Sequence, residues 1–175
     1  MYWLTDSFAA IRDFMALGGP VLKVIALTIF FMWVLIAERL MFFRTSMKSM
    51  ARDIHDNWEG RAERRSWNAA QIREMMIARF NFATNKGIAM IQTLVALCPL
   101  LGLLGTVTGM ISVFQVLAVS GSGNVRAMAA GVSQATVPTM AGMVGALSGV
   151  LLVTLLTRRA AHEVQFLEDT LTMDH

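Results

Sequence analysis

Two long uncharged stretches constrain the fold of this chain more than any other feature. Residues 87–125 and 127–157 contain no Asp, Glu, Lys or Arg, and residues 24–37 form a shorter uncharged stretch. A run of about 20 apolar residues can cross a membrane as one helix. With 55% hydrophobic residues, the chain is also too apolar for an ordinary soluble domain. We therefore predict an all-α membrane protein with three transmembrane helices, the second and third of which extend into the cytoplasm.

The first span is the shortest of the three, and charged residues bound it on both sides. It becomes a full span over residues 20–43 if the Lys23 side chain extends toward one interface. Glu38 and Arg39 then lie at the other interface. Before this span, residues 1–19 carry apolar side chains at helical spacing. We expect this segment to form an amphipathic helix on the membrane surface, in contact with lipid.

The distribution of basic residues predicts the topology. Residues 44–86 carry nine Lys or Arg against five Asp or Glu, whereas the segment before the first span has Arg12 alone. Cytoplasmic loops carry the excess of basic residues, so the N-terminus is predicted to be periplasmic. Because the basic residues lie beside the spans, they do not indicate nucleic-acid binding. The predicted order is a cytoplasmic segment (44–87), the second span (88–119), a periplasmic turn (120–126), the third span (127–157), and a cytoplasmic tail (158–175) opened by Arg158 and Arg159.

The cytoplasmic segment is predicted to be helical and too small for an enzyme. It contains no proline, and Ile72, Met75, Met76 and Phe80 recur at spacings of three and four, as on one face of a helix. About 43 residues is small for an independent catalytic domain. The three histidines lack metal-ligand spacing, and no phosphate-binding or nucleophile motif is present. We expect no enzyme activity, no metal and no cofactor.

Hydroxyl and small residues inside the second and third spans are the strongest functional signal. Gly105 and Gly109 form a GxxxG step, which lets helices approach closely. The hydroxyls of Thr106 and Thr139 either line a pore or bond back to helix carbonyls, and the pattern favours neither role. The pore-lining candidates are Thr106, Thr108, Gln134 and Thr139. The helix-packing candidates are Pro99, Gly102, Gly105, Gly109, Pro138 and Gly142.

Neither long span contains an acidic, basic or histidine residue. Acidic, basic or histidine side chains within a membrane mark proton and ion pathways. This chain can line such a pathway with hydroxyls, but it cannot supply the group that binds and releases a proton. If it conducts protons, a partner protein inserts that group. The sequence therefore predicts several copies of this chain around a second subunit.

The three spans resemble those of the ExbB/TolQ proteins, which are related to the MotA stator family. LGLLGTVTGMISVF, preceded by Pro99, is similar to their second span. GGPVL and IAERL, within residues 18–40, resemble their first span, and AAGVSQATVPTMAGMVGALSG, residues 129–149, resembles their third. The resemblance covers all three spans in order.

This resemblance implies a pentameric channel-forming subunit of the bacterial inner membrane, with a cytoplasmic C-terminus. It implies an ExbD-like partner in the pore, whose membrane aspartate carries the proton. It also implies delivery of proton-motive force to TonB, and so to import across the outer membrane, such as iron uptake. Family threonines that face the pore match Thr106 and Thr139.

One residue departs from the family pattern. ExbB and TolQ have a glutamate where this chain has Gln134, so a role of that glutamate in proton handling does not carry over. The short cytoplasmic segment and this glutamine resemble the ExbB of a second type of TonB system. The alternatives are a TolQ-like subunit of the Tol envelope system and a non-conducting membrane scaffold. A flagellar stator would need a larger cytoplasmic domain.

Overall fold

All regular secondary structure in the described part of the chain is helical. The computed structural model describes residues 2–61, 63, 66–120 and 125–171. The helices are α1 (Tyr2–Leu17), α2 (Gly19–Glu59), α3 (Trp67–Asn85), α4 (Ile88–Ser120) and α5 (Val125–Thr170). Three helical stretches, in Gly19–Glu59, Trp67–Val119 and Val125–Thr170, are long and apolar enough to cross a membrane. The predicted fold class is therefore confirmed. The centre of the predicted turn, residues 121–124, and the end of the tail, 172–175, lie outside the described residues.

Two of the helices are much longer than a membrane is thick. Helix α2 has 41 residues and α5 has 46. At about 1.5 Å per residue these helices are about 60–70 Å long, roughly twice the thickness of a hydrocarbon core. Each continues without a break from an apolar stretch into a polar one. Residues 44–59 contain no glycine or proline, so nothing in the sequence ends α2 before Gly60.

The chain divides into two compact units. The first contains the described parts of residues 1–33 and 93–150, and the second those of 34–92 and 151–175. In the first unit, α2 and α5 run parallel to each other. Ile29 packs on Gly145, and one helical turn further along both helices Met32 packs on Gly149.

The second unit is built around large apolar side chains. Trp58 of α2, Phe80 of α3 and Leu167 of α5 are each at most 3% exposed and belong to one cluster. Burying a side chain of this size in place of solvent contact stabilises a fold by about 1.5–3 kcal/mol. The cluster therefore joins three helices through contacts far apart in sequence. Its other buried members are Met47, Ala69 and Leu171.

Both ends of α3 are fixed by local hydrogen bonds. Ser66 is the N-cap, and its Oγ accepts a hydrogen bond from the Ala69 amide at 3.2 Å. At the other end, the Lys86 amide donates to the Phe82 carbonyl at 2.9 Å. Gly87 follows with a φ of +82°, a conformation that glycine adopts without steric cost. The chain thereby turns from α3 directly into α4.

The buried face of α3 differs from the predicted one at Met75. This side chain is 45% exposed, so its assignment to the apolar face is wrong. The buried residues are Ala69, Phe80 and Thr84. At about 100° per residue, Met75 lies about 140° around the helix from Phe80. Spacings of three and four residues alone do not determine which side of α3 is buried.

Candidate channel helices

Helices α4 and α5 approach each other so closely that glycine is required at their contact points. A Cβ atom at Gly109 would lie 2.5 Å from the backbone nitrogen and Cα of Ala135, and one at Gly142 would lie 2.5 Å from the Cys98 carbonyl oxygen. These two contacts run in opposite directions along the two helices, so α4 and α5 are antiparallel. Backbone atoms cannot move aside as a flexible side chain can. This contact therefore depends on small residues, as is typical of membrane helices.

A proline and a threonine of α5 occupy the middle of the same contact. A Cβ atom at Gly105 would lie 2.5 Å from Cβ of Pro138, which is fully buried. Next to it, the Thr139 hydroxyl donates to the Gly102 carbonyl oxygen at 2.9 Å. Its oxygen is also 3.4 Å from the carbonyl oxygen of Ala135. In the single chain, Thr139 therefore joins α4 to α5 through a side-chain hydrogen bond.

Thr106 and Thr108 of α4 bond to carbonyls of their own helix. The Thr106 hydroxyl donates to the Leu103 carbonyl at 2.7 Å, and the Thr108 hydroxyl donates to the Gly105 carbonyl at 3.0 Å. Thr106 is half-buried, and its hydrogen bond lies at the surface of the single chain. Such bonds satisfy the hydroxyl without fixing a neighbouring helix. Thr106 and Thr139 thus have different environments, although the sequence gives them equal standing.

Gln134 contacts the start of α2. A Cβ atom at Gly19 would lie 2.5 Å from the Gln134 amide nitrogen. Gly19 has a φ of +66°, and the Gln134 side chain is half-buried. The amide is polar but has no titration near neutral pH. This position can orient a hydrogen bond, but it cannot take up and release a proton.

Most of the apolar surface of the spans faces outward in the single chain. Only 22–28% of the residues in the most apolar segment of each span are buried. Large side chains such as Leu103 and Phe114 of α4 and Met140 and Leu147 of α5 are at least 60% exposed. These faces carry no charge and need lipid or other chains to cover them.

The candidate interface charges differ strongly in burial. Glu38, Arg158 and Arg159 are exposed, as is common for charged residues at the ends of spans. Arg39 is only 8% exposed. Its sequence position beside Glu38 gives no sign of this difference. Besides Phe42 of its own helix, Arg39 contacts Ala83 of α3 and Gly87, which lie more than 40 residues away in sequence.

Among the described residues, no group of His, Cys, Asp and Glu side chains could hold a metal ion. Cys98 is fully buried, and its Sγ lies 3.3 Å from the Leu94 carbonyl oxygen. It packs against Gly142 and Gly145. Within the described chain, Cys98 is thus a small packing residue between α4 and α5.

The structure sorts the candidate residues into three environments. One group meets at the α4–α5 contact, a second lies elsewhere in the first unit, and a third consists of charges at the ends of the spans. Thr108 lies beside the first group and bonds within α4. The contact group is Gly102, Gly105, Gly109, Pro138, Thr139 and Gly142. Pro99 and Thr106 lie away from that contact, and Gln134 lies against α2.

Comparison with known proteins agrees with these features. The model of the MotA/TolQ/ExbB proton channel family matches residues 38–169. A biopolymer transport protein of Synechocystis sp., named ExbB-like 1, is 36% identical over 84 residues. That alignment covers 46% of this chain and 33% of the relative, so the chain matches about a third of the relative's length. The three apolar helices and the family match across all of α3 and α4 make this a membrane protein, and the chain belongs to the MotA/TolQ/ExbB proton channel family.

Proposed function

We propose that this chain is an ExbB-like subunit of a proton-channel motor in the bacterial inner membrane. Several copies, five by the family resemblance, surround an ExbD-like subunit and use proton-motive force to energise TonB-dependent import across the outer membrane. The chain itself catalyses no covalent reaction. The proposal assigns a periplasmic N-terminus and a cytoplasmic C-terminus, in line with the basic residues between α2 and α4.

The observation that carries the proposal is the absence of acidic, basic and histidine side chains from the two long uncharged stretches. Residues 87–125 and 127–157 have none of the acidic, basic or histidine groups that relay protons. A member of a proton channel family with this composition needs a titratable group from another protein. A single membrane carboxylate on a partner helix fits this requirement.

The exposed faces of α4 and α5 support assembly around such a partner. Thr106 and Thr136 present partly or fully exposed side chains on otherwise apolar helices. Each hydroxyl already bonds to a carbonyl of its own helix, and each oxygen retains acceptor capacity for a water or a protonated carboxyl. A ring of such hydroxyls would form a polar path without fixed charge. Of the two, only Thr106 matches a pore threonine of the family, so we assign it the larger role. The other family match, Thr139, also bonds across to α4.

The direct test combines subunit counting with transport. Co-expression with an ExbD-like partner should give a complex with several copies of this chain around fewer copies of the partner, measured by native mass spectrometry. In that complex, Thr106→Val should reduce TonB-dependent iron uptake while assembly is retained. A chain that stays monomeric in the presence of the partner would contradict the proposal.

A matched control is available on α2. The Thr28 hydroxyl donates to the Val24 carbonyl at 2.9 Å, which is the same kind of bond within one helix that Thr106 makes. Thr28→Val should leave uptake at the wild-type level. Equal effects of the two substitutions would favour the non-conducting scaffold. Uptake that depends on a TolR-like partner instead would assign the chain to the Tol system.

A further inference from the structure

A cavity of about 350 Å³ lies in the second unit, where the end of α3 turns into α4 beside α2. Its lining combines charged and apolar side chains, as a site for an amphiphilic ligand requires. The charged residues are Glu38, Arg39 and Lys86, and the large apolar ones are Leu35, Phe42 and Ile91.

Arg39 is the most buried charged residue that lines this cavity. Its side chain is 8% exposed, and its Nη2 donates to the Ala83 carbonyl at 3.3 Å. Its Cζ lies 5.1 Å from the centre of the Phe42 ring. A guanidinium has five N–H donors, so one carbonyl satisfies a small part of it. Among the described residues no carboxylate oxygen lies within ion-pair distance of Arg39, although Glu38 attracts it over a longer distance.

Burial disfavours the charge of Arg39 more than the neighbouring Glu38 carboxylate favours it. Removing one partner from a buried ion pair typically destabilises a protein strongly, because the remaining charge is desolvated and uncompensated. The neutral carbonyl and the aromatic ring offset part of this cost. An anion bound in addition to Glu38 would therefore offset the remaining cost of burying the Arg39 charge.

The corner of the chain between α3 and α4 lies against Arg39. Gly87 has a φ of +82°, and a Cβ atom there would lie 3.4 Å from Nε of Arg39. Helix α4 begins at the next residue, Ile88. The amides at the N-terminus of a helix favour nearby negative charge. Lys86, which is exposed, adds a second cation at the same cavity.

The position in the sequence places the cavity at a membrane boundary. The uncharged stretch 24–37 ends directly before Glu38 and Arg39. One anion, the exposed Glu38, and two cations, Arg39 and Lys86, line the cavity. The net charge of its lining is therefore positive. Leu35, Phe42 and Ile91 provide an apolar wall. A basic pocket of this kind at the end of a span suits an anionic lipid headgroup.

We propose that this cavity binds the phosphate of an anionic phospholipid, with Arg39 and Lys86 as its cationic ligands. The planar guanidinium can donate two parallel hydrogen bonds to phosphate oxygens. The apolar wall then covers the glycerol and the first part of an acyl chain. Free phosphate could satisfy the cations, but it would leave this wall without a partner. A carboxylate from a neighbouring copy is the third source that the experiment separates.

The experiment measures lipid binding by the full-length chain in detergent, with no partner protein, so its outcome is independent of the proposed channel role. Phosphatidylglycerol should raise the thermal midpoint of the purified chain, and phosphatidylcholine should raise it less. Arg39→Gln should weaken phosphatidylglycerol binding about tenfold or more, and Lys86→Gln about fivefold. Arg44→Gln, which alters an exposed cation five residues later in α2, is the matched control and should bind like the wild type.

Three results would overturn the proposal. Equal affinities of the wild type and the Arg39→Gln and Lys86→Gln variants would remove the two cations from the site. Stabilisation by millimolar inorganic phosphate to the same extent would exclude a lipid as the ligand. A thermal midpoint that depends on protein concentration and not on lipid would assign the counter-charge to a neighbouring copy. If Arg39→Gln does not fold, the Lys86→Gln variant provides the test, because Lys86 is exposed and its substitution should not disturb folding. Wild-type affinity of Lys86→Gln for phosphatidylglycerol would contradict the proposed site.

Discussion

The first unit of this protein is stabilised internally by small side chains, and the second unit by large ones. In the first unit, Gly109 and Gly142 bring helix backbones together, and a threonine hydroxyl bonds across the contact. In the second unit, Trp58 and Phe80 fill the interior. Lipid is as apolar as leucine, so burying large side chains gives little advantage within a membrane, and close backbone packing takes its place. In contact with water, the burial of apolar area stabilises directly.

The largest effect is expected from a bulky residue at a glycine contact of the first unit. Gly142→Leu places side-chain atoms where the Cys98 carbonyl oxygen lies 2.5 Å from the first added carbon. The helices have to separate, which should cost about 3 kcal/mol and abolish the proposed assembly, measured as the yield of oligomer in detergent. The control is Met143→Leu, since Met143 is 57% exposed. A normal yield of oligomer from Gly142→Leu would show that the glycine contact is dispensable.

A large-to-small substitution tests the opposite principle in the second unit. Trp58 is 1% exposed, and Trp58→Ala should lower the free energy of opening of this unit by about 3–5 kcal/mol. Hydrogen exchange of the α3 amides measures that free energy. Trp67→Ala is the matched control because Trp67 is 77% exposed. Equal effects of the two substitutions would mean that the cluster is not the core of this unit.

A polar contact of the second unit should have an intermediate effect. Arg73 donates from Nε to the Leu171 carbonyl at 2.6 Å and from Nη2 to the Glu168 carbonyl at 2.7 Å. Because helix ends leave carbonyls without partners, Arg73→Gln should free the end of α5 and cost about 1–2 kcal/mol. Faster hydrogen exchange in the last turn of α5 would report this change. The control is Arg79→Gln, because Arg79 is an exposed cation of α3, the helix that also carries Arg73. This substitution should leave the exchange rate at the end of α5 unchanged.

The smallest effects on stability are expected from Thr139→Val and Thr106→Val, and they should differ. Thr139→Val removes the hydroxyl that donates to the Gly102 carbonyl, and such bonds between membrane helices are worth about 0.6 kcal/mol. Thr106→Val removes a bond within one helix and should change the thermal midpoint less. A greater loss of stability from Thr106→Val would reverse our assignment of Thr139 to the helix contact.

The number of spanning helices and the family could be predicted from the sequence, because both depend on patterns that are local along the chain. Uncharged stretches of sufficient length cross a membrane regardless of their neighbours. The sequence also indicated the small residues of α4 and α5, since glycine at GxxxG spacing is typical of close helix packing. The motif around Thr106 and the third-span pattern around Thr139 carried the family resemblance. The packing role of residues on one helix face, such as Gly105 and Gly109, can therefore be predicted from their spacing.

Only the tertiary structure decided how individual side chains are used. Thr106 and Thr139 are equivalent by type and by setting in an apolar helix, yet one bonds within its helix and the other across to α4. Met75 fits an apolar spacing but is exposed, and Arg39 is charged but buried. In each case the deciding neighbours lie on another helix, far away in sequence. Composition and spacing determine which helices form and which faces are apolar, whereas burial and hydrogen-bond partners depend on which helix is packed against each face.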